Sequence, residues 1–169
     1  FQNIAFRELL EHKSGAASGL RLKSYTEYQN DSVGKWDKYY CDQKNDDYNI
    51  MLAENFYMDR DQLDSLWFMM NSVTLDPEKP YKYSDINMNM LYMLMKGKIP
   101  AGQPYSRYMD SMFYKPMGLA TMCFHPLQKL DSAANRIAPT EYDTYWRGSV
   151  LKGFVHDPTA ALFGGEAGS

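Results

Sequence analysis

Apolar side chains recur at helical spacing in two stretches near the middle of the chain. One runs from Asp59 to Val73, and the other runs from Ser84 to Gly97. Asp59 and Ser84 suit the N-caps of these stretches, and Gly97 suits the end of the second. The apolar positions are Leu63, Leu66, Trp67, Met70 and Val73 in the first stretch, and Ile86, Met90, Met93 and Leu94 in the second. The spacing predicts two helices, and the second is so widely apolar that other helices should pack around it.

Similar spacing predicts shorter helices on both sides, so the expected fold class is all-α with about seven helices. The further helical segments are residues 3–12, 31–40, 46–56, 105–113, 126–137 and 140–151. No stretch shows the alternation of a convincing strand. Because short links make neighbouring helices antiparallel, the helices group into candidate hairpins. These hairpins cover residues 46–73, 84–115 and 118–151.

The three candidate hairpins begin 38 and 34 residues apart. This period is typical of α-α repeat stacks. The three units share little residue-by-residue similarity, so an irregular helical bundle is an equal alternative.

The pattern predicts one helical-hairpin domain over residues 1–152 and an irregular, extended C-terminal tail over residues 153–169. Phe154, Val155, Leu162 and Phe163 lie in this tail, where glycine and proline prevent a separate core. A frayed chain end is one interpretation. An arm laid on a partner protein is the favoured one, because four large apolar residues are unusual in a solvated tail. These four residues are therefore the candidate partner-binding residues.

Composition and charge narrow the function classes. The net charge of −3 disfavours a nonspecific nucleic-acid binder, although a local basic patch hidden by the average stays open. No apolar run approaches the roughly 18 to 20 residues needed to cross a bilayer. The 14 Tyr and 12 Met supply large side chains for a core or a partner surface. The start at Phe1 fits a processed chain without its targeting segment, although trimming would look the same.

The two cysteines, Cys41 and Cys123, are too few for a disulfide framework in a chain of 169 residues. Free thiols in a reducing compartment are expected, and a single bridge stays open. Cys123 and His125 lack the second pair of ligands that a tetrahedral metal site needs. As a nucleophile and its base they would not face each other on a helix, because they are two positions apart. The favoured interpretation is a buried thiol and a helix-end imidazole.

Two acidic clusters also fall short of metal sites. Glu8, Glu11 and His12 lack the Glu-x-x-His spacing and the second copy of a di-iron bundle, so a solvated helix face is expected. The second cluster lacks the glycine and the terminal glutamate of a calcium loop, and is interpreted as a helix cap. It consists of Asp42, Asp46 and Asp47. With no phosphate-binding loop and no Gly-x-Ser-x-Gly motif either, the sequence predicts no catalytic residue, metal or cofactor.

In length, in its Phe1 start, in its candidate hairpins and in the stretch from Tyr57 to Leu63, the chain resembles a known family. This is the family of the roughly eighteen-kilodalton extra subunit of the mitochondrial F1-ATPase of euglenozoan protists such as trypanosomes. Its members are all-helical and related to pentatricopeptide-repeat proteins, which stack helical hairpins of about 35 residues.

The resemblance implies a non-catalytic accessory subunit of the ATP synthase head, bound to the outside of the α-subunits. It also implies the matrix side of the mitochondrial inner membrane as location, with no membrane span of its own. No catalytic or nucleotide-binding residue carries over from the family. The alternative function is a short helical-repeat protein that binds mitochondrial RNA, although three loose repeats would read only about three bases. A helical enzyme with an unrecognised site is a third hypothesis.

Overall fold

The computed structural model describes residues 3–26, 36–129 and 136–167. Over these ranges the chain forms eight α-helices, one π-helical turn and five strands in two antiparallel sheets. The expected all-α repeat stack of antiparallel hairpins is therefore wrong. Two of the segments that were predicted to be helical form β-hairpins instead.

The helices vary widely in length, and the two longest are the two that the apolar spacing predicts most clearly. They are α1 (Phe6–Leu10), α2 (Lys23–Thr26), α3 (Trp36–Tyr39), α4 (Gln62–Asn71), α5 (Asp85–Lys96), α6 (Tyr105–Met109), α7 (Pro126–Lys129) and α8 (Pro158–Leu162), and the π-helical turn is Asp110–Tyr114. Ser84 occupies the N-cap of α5, as predicted. Asp61 rather than Asp59 precedes α4, because Asp59 ends a strand.

The first sheet contains β1 (Tyr40–Cys41), β2 (Tyr48–Ala53) and β3 (Phe56–Asp59) in the order β1-β3-β2. Its hairpin turn includes Asn55, whose φ of 53° is one that asparagine tolerates better than most residues. The register shifts between Met51 and Ala53, and both Leu52 and Ala53 are buried. This irregularity explains the wrong helix prediction for residues 46–56, since two consecutive buried residues break the alternation of a regular strand.

The second sheet is the hairpin of β4 (Pro139–Asp143) and β5 (Ser149–Lys152). The carboxylate of Asp143 accepts hydrogen bonds from the backbone N–H groups of Tyr145 and Trp146, at 3.1 and 2.9 Å. It also receives the Nε–H of Arg147 at 2.7 Å. Asp143 therefore closes a tight turn between two strands, and the helix predicted over residues 140–151 is wrong.

One hydrophobic core joins these elements. Most of its fully buried members come from β2, β3, α4, α5 and α8, and they include Leu52, Met58, Leu66, Ile86 and Leu162. Within the described ranges, no helix is long and apolar enough to span a bilayer.

The C-terminal residues 153–169, which were expected to form an extended tail, carry α8. Asp157 caps this helix by accepting the Ala160 N–H at 2.6 Å. Two of the four candidate partner-binding residues, Leu162 and Phe163, are buried in the chain's own core, and Phe154 and Val155 are half-buried. The apolar side chains at this end therefore pack largely against the chain itself.

We predict that Leu162→Ala lowers the free energy of unfolding by about 2–5 kcal/mol, because the substitution removes a fully buried side chain and leaves a cavity. Leu10→Ala is the matched control, since Leu10 is exposed, and it should change stability by no more than about 0.5 kcal/mol. Urea denaturation of both variants checks this. Equal stabilities for the two variants would mean that residues 153–169 do form a loose tail.

Candidate functional site

The N-terminal end of α5 is joined to the loop that follows α1, and we name residues 12–18 and 82–87 together the α5 junction. Two backbone hydrogen bonds hold its halves together. The Lys82 N–H donates to the His12 carbonyl at 2.9 Å, and the Asp85 N–H donates to the Ser18 carbonyl at 2.8 Å. These bonds therefore hold together two segments that lie about 70 residues apart in sequence.

Three polar side chains of the α5 junction are fully buried, and all of them are hydrogen-bonded. They are Ser14, Ser84 and Asn87. The Ser14 hydroxyl donates to the Asn87 side-chain oxygen at 2.5 Å, and the Ser84 hydroxyl donates to the Ala17 carbonyl at 2.6 Å. Both serine hydroxyls are thus buried and donate structural hydrogen bonds, so neither is an accessible nucleophile.

His12 organises the exposed side of the α5 junction. Its Nδ1 accepts the Ser84 N–H at 3.2 Å and lies 3.4 Å from the Asn87 amide nitrogen. Because both neighbours are donors, a neutral His12 carries its proton on Nε2. The ring of Tyr83 lies against the imidazole with centroids 4.6 Å apart, and Tyr81 meets it edge-on at 6.3 Å. The imidazole therefore positions two tyrosines.

Gly15 allows the loop to approach this closely. The backbone of Gly15 has a left-handed conformation with φ of 80°. The Gly15 carbonyl accepts a hydrogen bond from the Asp76 N–H at 2.8 Å. A Cβ atom at this position would collide with the Asp76 backbone. Glycine is consequently the residue that satisfies both the backbone angle and the close contact.

The α5 junction presents Tyr83 and Asp85 outward. Tyr83 is 59% exposed, whereas Asp85 is half-buried at the first position of α5. Burial raises the pKa of Asp85, and the nearby Asp157 carboxylate raises it further, against the opposing effects of His12 and of a hydrogen bond from Tyr83. Asp85 lines a cleft of about 810 Å³ together with Arg21, Lys23 and Asp157. A carboxyl group with a raised pKa therefore lines a cleft with two cationic side chains, and the phenol of the neighbouring Tyr83 hydrogen-bonds that carboxyl group. This arrangement is suited to proton transfer.

A second polar cluster surrounds Glu166. Its carboxylate accepts the Tyr92 hydroxyl at 2.9 Å and the Ser106 N–H at 3.3 Å, and His125 Nε2 lies 3.2 Å away. Burial raises the pKa of Glu166, but the hydrogen bonds from His125, Ser106 and Tyr92 outweigh burial and lower the pKa to about 2. Glu166 is therefore a fixed anion that ties the C-terminal end of the chain to α5 and α6.

Cys123 and His125, the nucleophile pair considered from sequence, line one cavity of about 410 Å³. The imidazole is held by Glu166, and no hydrogen bond to the Cys123 thiol occurs among the described contacts. Both Cys41 and Cys123 are free, as expected. In the part of the chain that the structure describes, no three histidine, cysteine or carboxylate side chains are grouped as metal ligands.

The other acidic candidates have structural roles. Glu8 accepts the Ala5 N–H at 2.7 Å and pairs with Lys79 at 2.7 Å, and Glu11 pairs with Lys13, so neither joins His12. The second acidic cluster lies exposed in the turn before β2 and caps no helix, since β2 is a strand. Its members are Asp42, Asp46 and Asp47.

Sequence reasoning identified Ser84 as a helix cap but missed its neighbours Tyr83 and Asp85. The available signal was the pair of short motifs His12-x-Ser14-Gly15 and Tyr83-Ser84-Asp85. The first motif follows the end of α1, and the second stands at the start of α5. Their meeting in space depends on tertiary contacts that neither motif reveals alone.

Comparison with known proteins adds a limited similarity. No protein-family model matches the chain, and no solved structure matches it significantly. Two curated proteins are similar to part of the chain, one from Escherichia coli strain K12 and one from Escherichia coli O157:H7. Each is named "Putative D-alanyl-D-alanine carboxypeptidase". The first is 32% identical over 91 residues, which is 52% of this chain and 19% of the relative. The second is 32% identical over 82 residues, which is 48% of this chain and 17% of the relative, so the chain spans less than a fifth of either relative's length.

We predict a pH-dependent stability contribution from Glu166. Its pKa is about 2 in the folded chain against an ordinary value of 4.5, so the ionised form stabilises the fold above pH 4.5. This contribution is lost as the pH falls from 4.5 towards 2, and it amounts to about 3 kcal/mol. Glu166→Gln should therefore be less stable than the wild type near pH 6, with a gap that closes towards pH 2.

Urea denaturation across this pH range measures the gap. Glu54→Gln, in the exposed turn between β2 and β3, is the matched control and should show a much smaller difference from the wild type. A gap for Glu166→Gln that does not change with pH would contradict the assigned role of the carboxylate.

Proposed function

We propose that the protein is a D-alanyl-D-alanine carboxypeptidase and that the α5 junction contributes Tyr83 and Asp85 to its active site. The observation that carries this proposal is the rigid presentation of these two side chains at the start of α5, on a base of buried hydrogen bonds. The limited similarity to the two Escherichia coli relatives supports the same reaction class.

A partial match to a sequence motif points to the same reaction class. Penicillin-binding proteins combine a Ser-x-x-Lys motif that holds the nucleophile with a Ser-Asp-Asn motif and a Lys-Thr-Gly motif. Ser84-Asp85 repeats the first two residues of the second motif, but Ile86 stands where its asparagine would be, and Asn87 follows one position later. The buried role of Ser84 means that, in this chain, Tyr83 and Asp85 are the groups available to a substrate.

The proposed reaction requires groups of these kinds. Hydrolysis of the peptide bond between two D-alanines joins a water oxygen to the carbonyl carbon and breaks the C–N bond. The proton that the water loses passes to the departing amine, and the Tyr83 phenol is placed to relay it together with Asp85. The free carboxylate at the substrate's C-terminus is complementary to Arg21 in the adjoining cleft.

We assign no nucleophile. The Ser-x-x-Lys pattern occurs at Ser32–Lys35, which lies outside the described residues, and again at Ser149–Lys152. The second pair lies on β5, where side chains three positions apart point to opposite faces, so Lys152 cannot activate Ser149.

The accessory-subunit hypothesis and its RNA-binding alternative stay predictions. The resemblance on which they were based implied an all-helical repeat stack, and the chain contains two β-sheets. No contact in the described residues favours either role over the proposed peptidase.

Replacement of one hydroxyl group tests the proposal. The protein, expressed from its complete reading frame, is incubated with an N-acylated peptide that ends in Lys-D-Ala-D-Ala, and the release of D-alanine is measured. Tyr83→Phe should lower kcat by about 100-fold or more, because it removes a proton-transfer group and leaves the ring contact with His12. Tyr81→Phe is the matched control, since Tyr81 is 69% exposed and touches the same imidazole, and it should retain close to the wild-type rate.

Two results would count against the proposal. A wild-type protein that releases no D-alanine would reject the reaction class. A Tyr83→Phe variant as active as Tyr81→Phe would reject the site assignment while leaving the reaction class in place.

A further inference from the structure

One surface loop is far more exposed and more apolar than a solvated loop should be. We name residues 111–122, which comprise most of the π-helical turn and the loop after it, the apolar loop. All but Tyr114 of its residues are exposed, and its exposed large apolar side chains are Met112, Phe113, Met117, Leu119 and Met122. Clustered exposed apolar side chains of this kind mark a contact surface rather than ordinary surface variation.

The apolar loop lies in the most basic part of the chain. Between residues 86 and 130 the sequence has five lysines and arginines against one acidic residue, a local net charge of +4 in a chain whose total is −3. The five cations are all exposed: Lys96, Lys98, Arg107, Lys115 and Lys129. The single acid, Asp110, is buried and pairs with Lys129. The exposed surface of residues 86–129 therefore carries cations and no carboxylate.

The backbone of the apolar loop is largely hydrogen-bonded within itself. The Met117 N–H donates to the Phe113 carbonyl at 3.1 Å, and the Leu119 N–H donates to the Tyr114 carbonyl at 2.8 Å. The Gly118 and Met122 N–H groups also find carbonyl partners inside the loop, at 3.0 and 3.2 Å. A segment that leaves few backbone donors unpaired can lose water at modest cost, as an apolar environment requires.

From these three observations we infer that the apolar loop is a peripheral docking surface for an anionic lipid bilayer. The methionine, leucine and phenylalanine side chains enter the boundary between headgroups and acyl chains, and Lys115 contacts the anionic headgroups together with Arg107, which lines the same cleft. Lys115 stands within the loop itself, so apolar and cationic contacts are made together. This inference does not depend on the proposed peptidase activity.

Alternative occupants fit this chemistry less well. Protein interfaces are depleted in lysine at their cores, whereas this loop has one at its centre. Single-stranded nucleic acid would need aromatic stacking platforms, and the loop offers one exposed aromatic ring among aliphatic and thioether side chains.

Vesicle co-sedimentation tests the inference with the full protein. We expect binding to vesicles of equal parts phosphatidylglycerol and phosphatidylcholine, and much weaker binding to phosphatidylcholine alone. Raising the salt from about 0.1 M to about 1 M should release the protein, since the Debye length falls from roughly 10 Å to roughly 3 Å. The double substitution Phe113→Ser with Met117→Ser should weaken binding by at least about tenfold.

The matched control is the double substitution Leu10→Ser with Phe68→Ser, which alters equally exposed apolar residues outside the basic stretch and should bind like the wild type. Lys115→Glu should also weaken binding, whereas Lys44→Glu, at another exposed lysine, should not. All substituted side chains are exposed, so an unchanged Tm verifies that each variant is folded.

Three results would overturn the inference. One is a lack of binding to the anionic vesicles at low salt. Another is equal binding by the loop variant and its control. The third is a wild-type dimer, seen by gel filtration with light scattering, that the loop substitutions dissociate, because the loop would then be an interface between two copies of the chain.

Discussion

The arrangement of this protein depends on one buried hydrogen bond, between the Ser14 hydroxyl and the Asn87 side chain. Helix α5 carries Asn87 into the core, where an amide without a partner would cost about 1–3 kcal/mol. Ser14 supplies the partner from 73 residues away, and this contact fixes the loop after α1 against the start of α5. The positions of His12 and Tyr83 follow from that docking, because His12 receives the Ser84 N–H and supports the tyrosine ring. The proposed site is thus a consequence of how a polar residue is accommodated in the core.

The local part of the fold was predictable from sequence, and the part set by tertiary contacts was not. Helices α4 and α5 are long enough for an unambiguous apolar period. The hairpin of β2 and β3 was missed because its bulge gives two consecutive buried residues, which break the alternation expected of a half-buried strand. The hairpin of β4 and β5 was missed because an acidic residue such as Asp143 can cap a helix or close a turn with the same carboxylate oxygens. The C-terminal helix was missed because five residues are too few to show a period.

The candidate sites were hidden from sequence for a related reason. His12 and Ser84 are 72 residues apart, and Glu166 lies 41 residues from His125, so no short motif contains either pair. Charge was concealed by averaging, since a total of −3 obscures the +4 of residues 86–130. The apolar loop could be recognised as a surface only from the exposure of its side chains, because methionines and leucines are more often found in the core. In each case the sequence contains the residues, but only the structure shows which residues are neighbours and which are exposed.

A double-mutant cycle on Ser14 and Asn87 tests the central claim most directly. The free energy of unfolding is measured in urea for Ser14→Ala, Asn87→Ala and the combined variant. If the buried hydrogen bond holds the loop on α5, the two effects are not additive, and the coupling energy is about 1–3 kcal/mol. If the two effects add to within about 0.5 kcal/mol, the residues do not interact and the account of the α5 junction is wrong.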